Sequence, residues 1–119
     1  VSKKAILAVH HDDERNAISG LLVDQRFEVH AARTGYDVMC LVEDFEISLI
    51  VTDIQLEDMQ VWKMLSKLKE NKTIASLPMI VLSDESVVAP LSNFPITLVV
   101  RPVALTSLRQ IIRQLEESL

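Results

Sequence analysis

Five short apolar runs recur along the chain at fairly even intervals: Ala5–Val9, Phe27–Ala31, Leu49–Thr52, Met79–Leu82 and Thr97–Val100. This recurrence constrains the fold more than any other feature. Four of the runs are nearly continuous Ile, Leu, Val and Ala, the pattern of strands covered on both faces. The second differs, because Phe27, Val29 and Ala31 alternate with Glu28 and His30, as an edge strand with one wetter face would.

Helical spacing fills the intervals. Ala17, Ile18, Leu21 and Leu22 share one face of a helix opened by Asp12, Asp13 and Glu14, where carboxylates favour the helix dipole. A shorter helix is expected from Tyr36 to Glu43 after Thr34-Gly35, and Val61, Trp62, Met64, Leu65 and Leu68 mark a third. Near the C-terminus, Leu105, Leu108, Ile111, Ile112, Leu115 and Leu119 form an apolar stripe, with Arg109, Arg113, Glu116 and Glu117 off it. Tyr36 and Trp62 read as helix-packing residues. Only Ser83 to Pro95 separates the fourth and fifth runs, and Pro90 and Pro95 predict a short or irregular segment there. Strands alternating with helices imply a parallel sheet between helical layers. Five strands fit a flavodoxin-like α/β three-layer sandwich in the order 2-1-3-4-5, whose site lies at the carboxyl ends of strands one and three.

At 119 residues, 49% apolar and 24% charged, the chain suits one globular domain. It opens at Val1 without methionine, as a processed protein or a domain cut from a longer one would. No apolar run is long enough to span a bilayer. A net charge of −5 argues against nucleic acid as a partner, and Lys63, Lys67, Lys69 and Lys72 read as a solvated helix face. Cys40 is the sole cysteine, so no internal disulfide forms; a reducing cytoplasm and a small buried hydrophobe are expected. There is no Gly-rich phosphate loop and no Ser/His/Asp or Cys/His arrangement, so neither nucleotide binding nor nucleophilic catalysis is supported.

Asp53 closes the third run, in Leu49-Ile50-Val51-Thr52-Asp53, and so lies at the tip of a buried strand. With Ala5-Ile6-Leu7-Ala8-Val9, Ile80-Val81-Leu82-Ser83 and Arg101-Pro102-Val103 in order around it, the whole chain resembles the receiver domains of two-component response regulators. The resemblance implies that Asp53 occupies the phosphoacceptor position, that Ser83 and Arg101 stand where phosphoryl oxygens are met, and that the bond before Pro102 is cis. It also implies a magnesium ion beside the aspartate and a histidine kinase, signalling protein or output domain as partner.

Several positions depart from that pattern. His10 and His11 stand at the acidic pair, and imidazole is a poor substitute for the hard oxygen ligands magnesium prefers. A register slip would bring in Asp12 or Asp13, and Asp12 could reach an ion through water, so weak magnesium binding is expected. Arg101 replaces a lysine; the two are not interchangeable, and Arg101 is placed to pair with Asp53 and keep it neutralised. Glu57 and Val61 replace the proline and glycine common after the acceptor, and Leu98 replaces the switching aromatic residue. The reading is a degenerate receiver, a non-enzymatic module of bacterial signalling that works by protein–protein contact. Its working surface is expected on the fifth strand, the C-terminal helix with Arg109, Arg113 and Glu117, and the segment before them, with homodimerisation left open. Two alternatives stand: a functioning phosphoacceptor, and a metal or ligand sensor built from His10, His11, Asp12 and Asp53.

Overall fold

In the computed structural model, which describes residues 3–70 and 76–117, the five apolar runs form one parallel sheet in the order β2-β1-β3-β4-β5. The strands are β1 (Lys3–Ala8), β2 (Phe27–Ala31), β3 (Leu49–Asp53), β4 (Met79–Ser83) and β5 (Thr97–Val100). Between and after them run α1 (Asp12–Asp24), α2 (Gly35–Asp44), α3 (Val61–Lys69) and α4 (Leu105–Glu117). Among the described residues, no helix is long and apolar enough to cross a membrane. Val1, Lys72 and Leu119 lie outside the described residues.

The period of two along each strand divides the core. Ala5, Leu7, Leu49, Val51, Ile80 and Leu82 pack on one face against Ile18, Leu21 and Leu22 of α1 and Leu108 and Ile112 of α4. Ile6, Ala8, Ile50, Met79 and Val81 point the other way, onto Val38 of α2 and Val61, Met64, Leu65 and Leu68 of α3. The central strands β3 and β4 are buried along their whole length. Each buried Val, Leu, Ile or Met side chain among these contributes about 1.5–3 kcal/mol of transfer free energy against the conformational entropy lost on folding.

The expectation of full cover fails for the fifth run. Thr97, Leu98 and Val99 are half-buried and Val100 is exposed, because β5 is the other edge of the sheet. The proline-bearing segment beside it supplies only a single 3₁₀ turn, Ala89–Leu91, with Pro90 inside it. Leu98 is half-buried against the α2/α3 side of the core.

Four side chains sit elsewhere than the pattern suggests. Tyr36 is exposed rather than packed, since it occupies the second position of α2 on its solvent face. Cys40 is half-buried, one turn further on, and its hydrogen bond to the Tyr36 hydroxyl raises the phenol pKa. Leu105, the first residue of α4, is 41% exposed. Arg109 is not free on the helix surface; it is half-buried and reaches Asp24 of α1 at 3.3 Å. Trp62 is half-buried against the core, and Lys63 and Lys67 are exposed, as a solvated face requires.

Candidate functional site

The carboxyl ends of β1 and β3 are adjacent in the sheet, and the loops that leave them and β5 converge there. Asp53 is the last residue of β3 and is 5% exposed. A carboxylate this buried needs donors for its oxygens. Its Oδ2 accepts the backbone N–H of His10 at 2.7 Å, and its Oδ1 accepts Nη2 of Arg101. Both oxygens are engaged.

Arg101 follows β5 directly, and its backbone N–H is donated to the carbonyl of Ser83 at 2.8 Å, which fixes the start of its side chain beside β4. The side chain is 18% exposed. Glu14, in the first turn of α1, grips it from the far side. Arg101 Nε lies 3.2 and 3.1 Å from the two carboxylate oxygens of Glu14, and Nη2 lies 3.0 Å from Oε1. One guanidinium thus joins two carboxylates from different elements, in the planar geometry that suits arginine. Burial works against the charge, but the hydrogen bonds that Arg101 donates to Glu14 and the nearby charge of Asp53 outweigh it and raise the Arg101 pKa. Asp84 lies at 3.9 Å on the outer side and is exposed to water.

The histidines take separate roles. His10 Nε2 donates to the carbonyl of Gln55 at 2.8 Å, which fixes Nε2 as a protonated nitrogen and ties the loop after β1 to the loop after β3. His11 is exposed at the N-cap of α1 and makes no side-chain cap. The strand has already ended at Ala8, so strand alternation does not separate the two imidazoles. Both line an open cleft of about 200 Å³ with Asp53, Ile54, Gln55, Asp84 and Arg101. Asp12 does not join them; its carboxylate turns to Arg15 on the next turn of α1. Arg15 in turn donates to the carbonyls of Val9 and His10, at 3.3 and 3.4 Å.

Ser83 ends β4, 1% exposed, and its Oγ accepts the N–H of Glu85 at 3.0 Å. The loop after Asp53 closes on itself without glycine. Leu56 N–H meets the carbonyl of Met59, Gln55 and Gln60 form an antiparallel bridge, and Val61 begins α3 with no left-handed residue between them. The Arg101–Pro102 peptide is cis, as the resemblance implies.

Residues 6–113 match the family described as the Response regulator receiver domain. The chain is a receiver domain. It is 30% identical over 90 residues to the two-component response regulator ORR11 of Oryza sativa, covering 74% of this chain and 61% of that protein. It is 34% identical over 67 residues to the probable transcriptional regulator ycf29 of Pyropia yezoensis, covering 56% of this chain and 30% of that protein. The receiver therefore spans less than two thirds of the length of either relative. Its fold superimposes on the chemotaxis response regulator CheY4 of Vibrio cholerae with a TM-score of 0.82 at 16% identity, over 97% of this chain and 99% of that one.

Against this family, the donor set does not suit a magnesium ion beside Asp53. His10 and His11, not carboxylates, follow β1 here, both Asp53 oxygens already have donors, and a guanidinium lies between Asp53 and Glu14. Among the described residues, no group of three or more His, Cys, Asp or Glu side chains is arranged to hold a metal. Of the four residues His10, His11, Asp12 and Asp53, three share the cleft and Asp12 turns away to Arg15.

Glu14 and Arg15 were not legible as site residues. As sequence, Glu14 is one of three consecutive acids at a helix start, which the helix dipole explains fully. Its position three residues after the histidine pair is the one available signal, and it gains meaning only once β5 delivers Arg101 alongside.

Proposed function

We propose that this receiver is a regulatory module that signals by protein–protein contact and does not depend on magnesium-assisted phosphorylation of Asp53. The observation that carries the reading is the engagement of both Asp53 oxygens, one by a backbone amide and one by a guanidinium that Glu14 holds in place. Phosphoryl transfer to a carboxylate needs a free nucleophilic oxygen and concentrated positive charge at the phosphoryl group. Here the cation is spent on the ground-state carboxylate. The histidine pair adds no oxygen ligands to compensate.

Contact with a signalling partner or a linked output domain falls to the β5 edge. Val100 at the end of β5 and Leu105 at the start of α4 expose apolar surface, as does Val87 in the segment before β5, and Arg113 and Glu117 are exposed on α4. A net charge of −5 disfavours nucleic acid at this domain, and the lone, half-buried Cys40 suits a reducing cytoplasm. The chain's share of its relatives' length supports reading it as one domain of a longer protein.

A second reading, phosphorylation of Asp53 by a histidine kinase, is favoured by the cleft that reaches Asp53 and by Ser83 at the tip of the next strand. Intact mass after incubation with acetyl phosphate, with and without magnesium, separates the two. No adduct is expected. A magnesium-dependent adduct that disappears in Asp53→Asn would replace the first reading with the second.

A further inference from the structure

Arg101 Nη2 sits where a small cation would sit if one bridged the acidic groups of this cleft. A single nitrogen contacts Oδ1 of Asp53 and Oε1 of Glu14, so the two carboxylates, from β3 and α1, converge on one point. The three side chains are mostly buried, with Arg101 18%, Asp53 7% and Glu14 19% exposed. Two carboxylates at such a point would repel each other without a cation between them. We propose that Arg101 is a tethered cation that takes the place of a divalent metal ion beside Asp53, and that Glu14 is the positioning residue that holds it there. The inference rests on the magnesium-independent reading above.

The physical argument has two steps. A guanidinium can point at Asp53 from many rotamers, and a lone arginine–carboxylate contact near solvent orders its side chain only weakly. Glu14 removes that freedom. It accepts from Nε and Nη2 in a forked pair, which fixes the plane of the guanidinium and turns the other N–H of Nη2 toward Asp53. The second step is electrostatic. With a fixed positive charge already at the convergence point, a free divalent ion meets repulsion from Arg101 and finds both oxygens of Asp53 already engaged by donors. The Gln55 carbonyl, another hard oxygen lining the same cleft, is occupied by His10 Nε2. Metal independence thus comes from a filled position as well as from the missing acidic pair.

Removing the tethered charge while keeping apolar bulk should unmask the carboxylates. Arg101→Met is expected to bind Mn²⁺ at least about tenfold more tightly than the unaltered domain, read by the loss of free-Mn²⁺ signal in electron paramagnetic resonance. Arg101→Met combined with Glu14→Gln should lose that gain. A folded Arg101→Met that binds Mn²⁺ no better than the parent, or a parent that already binds it equally well, overturns the proposal. A second measurement on the unaltered domain stands independently of whether that variant folds. The Arg101 Nε–H should give a solvent-protected ¹⁵N resonance at neutral pH, and Glu14→Gln should abolish its protection. An unprotected Nε–H, or one indifferent to Glu14→Gln, also overturns it. Metal binding and phosphate adducts are separate readouts, so failure here is distinguishable from failure of the functional reading.

Discussion

A carboxylate with 5% of its surface exposed must be protonated or met by donors, and Asp53 is met on both oxygens. Taking away one donor therefore costs more than the contact itself contributes, because the remaining charge stays buried. Arg101→Met is expected to destabilise the domain by about 3 kcal/mol in urea denaturation, since it orphans both Asp53 and Glu14. Neutralising the orphan should recover part of that loss: Asp53→Asn/Arg101→Met should be more stable than Arg101→Met alone. Equal stability of the two variants would mean that Asp53 is not the charge Arg101 serves. Sequence reading reached the Asp53–Arg101 pair because both residues sit in recognisable frames, a strand tip and an Arg-Pro after the last strand. It could not reach Glu14, whose role depends on α1 being packed beside α4 with its first turn facing the end of β5. Nor could it assign His10, whose backbone amide rather than its imidazole touches Asp53.

At the scale of elements, the loop after β3 is fastened to the start of α2. Asp58 accepts the N–H groups of Gly35 and Tyr36 at 2.7 and 3.2 Å, while Thr34 caps the same helix through the N–H of Asp37 at 2.9 Å. Removal of Asp58 by alanine should cost about 1 kcal/mol, the usual contribution of such a cap. Desolvation opposes ionisation of Asp58, but the hydrogen bonds from Gly35 and Tyr36 prevail and lower its pKa below the ordinary 3.8. A carboxyl group with a depressed folded pKa adds stability that is complete above its unfolded pKa and disappears as pH falls through the folded one. Asp58→Asn should therefore flatten the acid limb of the stability curve below about pH 4 and leave its shape at neutral pH unchanged. An unchanged acid limb would rule the link out. On α1, Gly20 is a different case, an exposed helix-interior glycine where a Cβ would meet nothing within 4 Å. Gly20→Ala should stabilise by about 0.5–1 kcal/mol, measured by thermal melting. Strand positions and the failed helix before β5 were legible because short apolar runs and prolines are local signals. The thin cover of β5 and the exposure of Tyr36 and Leu105 were not, since each depends on which neighbour happens to lie alongside.

For the whole molecule, the tethered arginine joins three elements that are far apart in sequence: α1 through Glu14, β3 through Asp53, and the end of β5 through its own backbone. β5 needs such a tie. It is an edge strand with half-exposed side chains, bonded only to β4 and flanked by a single 3₁₀ turn, while β1, β3 and β4 carry the buried core. Local opening follows the least-buried elements, so amide exchange in the unaltered domain should be slowest in β1, β3 and β4. It should be faster in β5 and in the 3₁₀ segment. Arg101→Met removes the tie without touching the core. If the guanidinium mainly fastens the edge, hydrogen–deuterium exchange should accelerate in β5 and the first turn of α1, and the amides of β1 and β4 should keep their place as the slowest group. If all strands accelerate by the same factor, the arginine contributes only to global stability and β5 is held by β4 alone. The distinction bears on function, because β5 ends on the exposed Val100 and leads directly to the exposed Leu105 of α4. A strand fastened through Asp53 would carry any change at the aspartate to that surface, whereas a strand held by β4 alone would leave the site and the surface uncoupled.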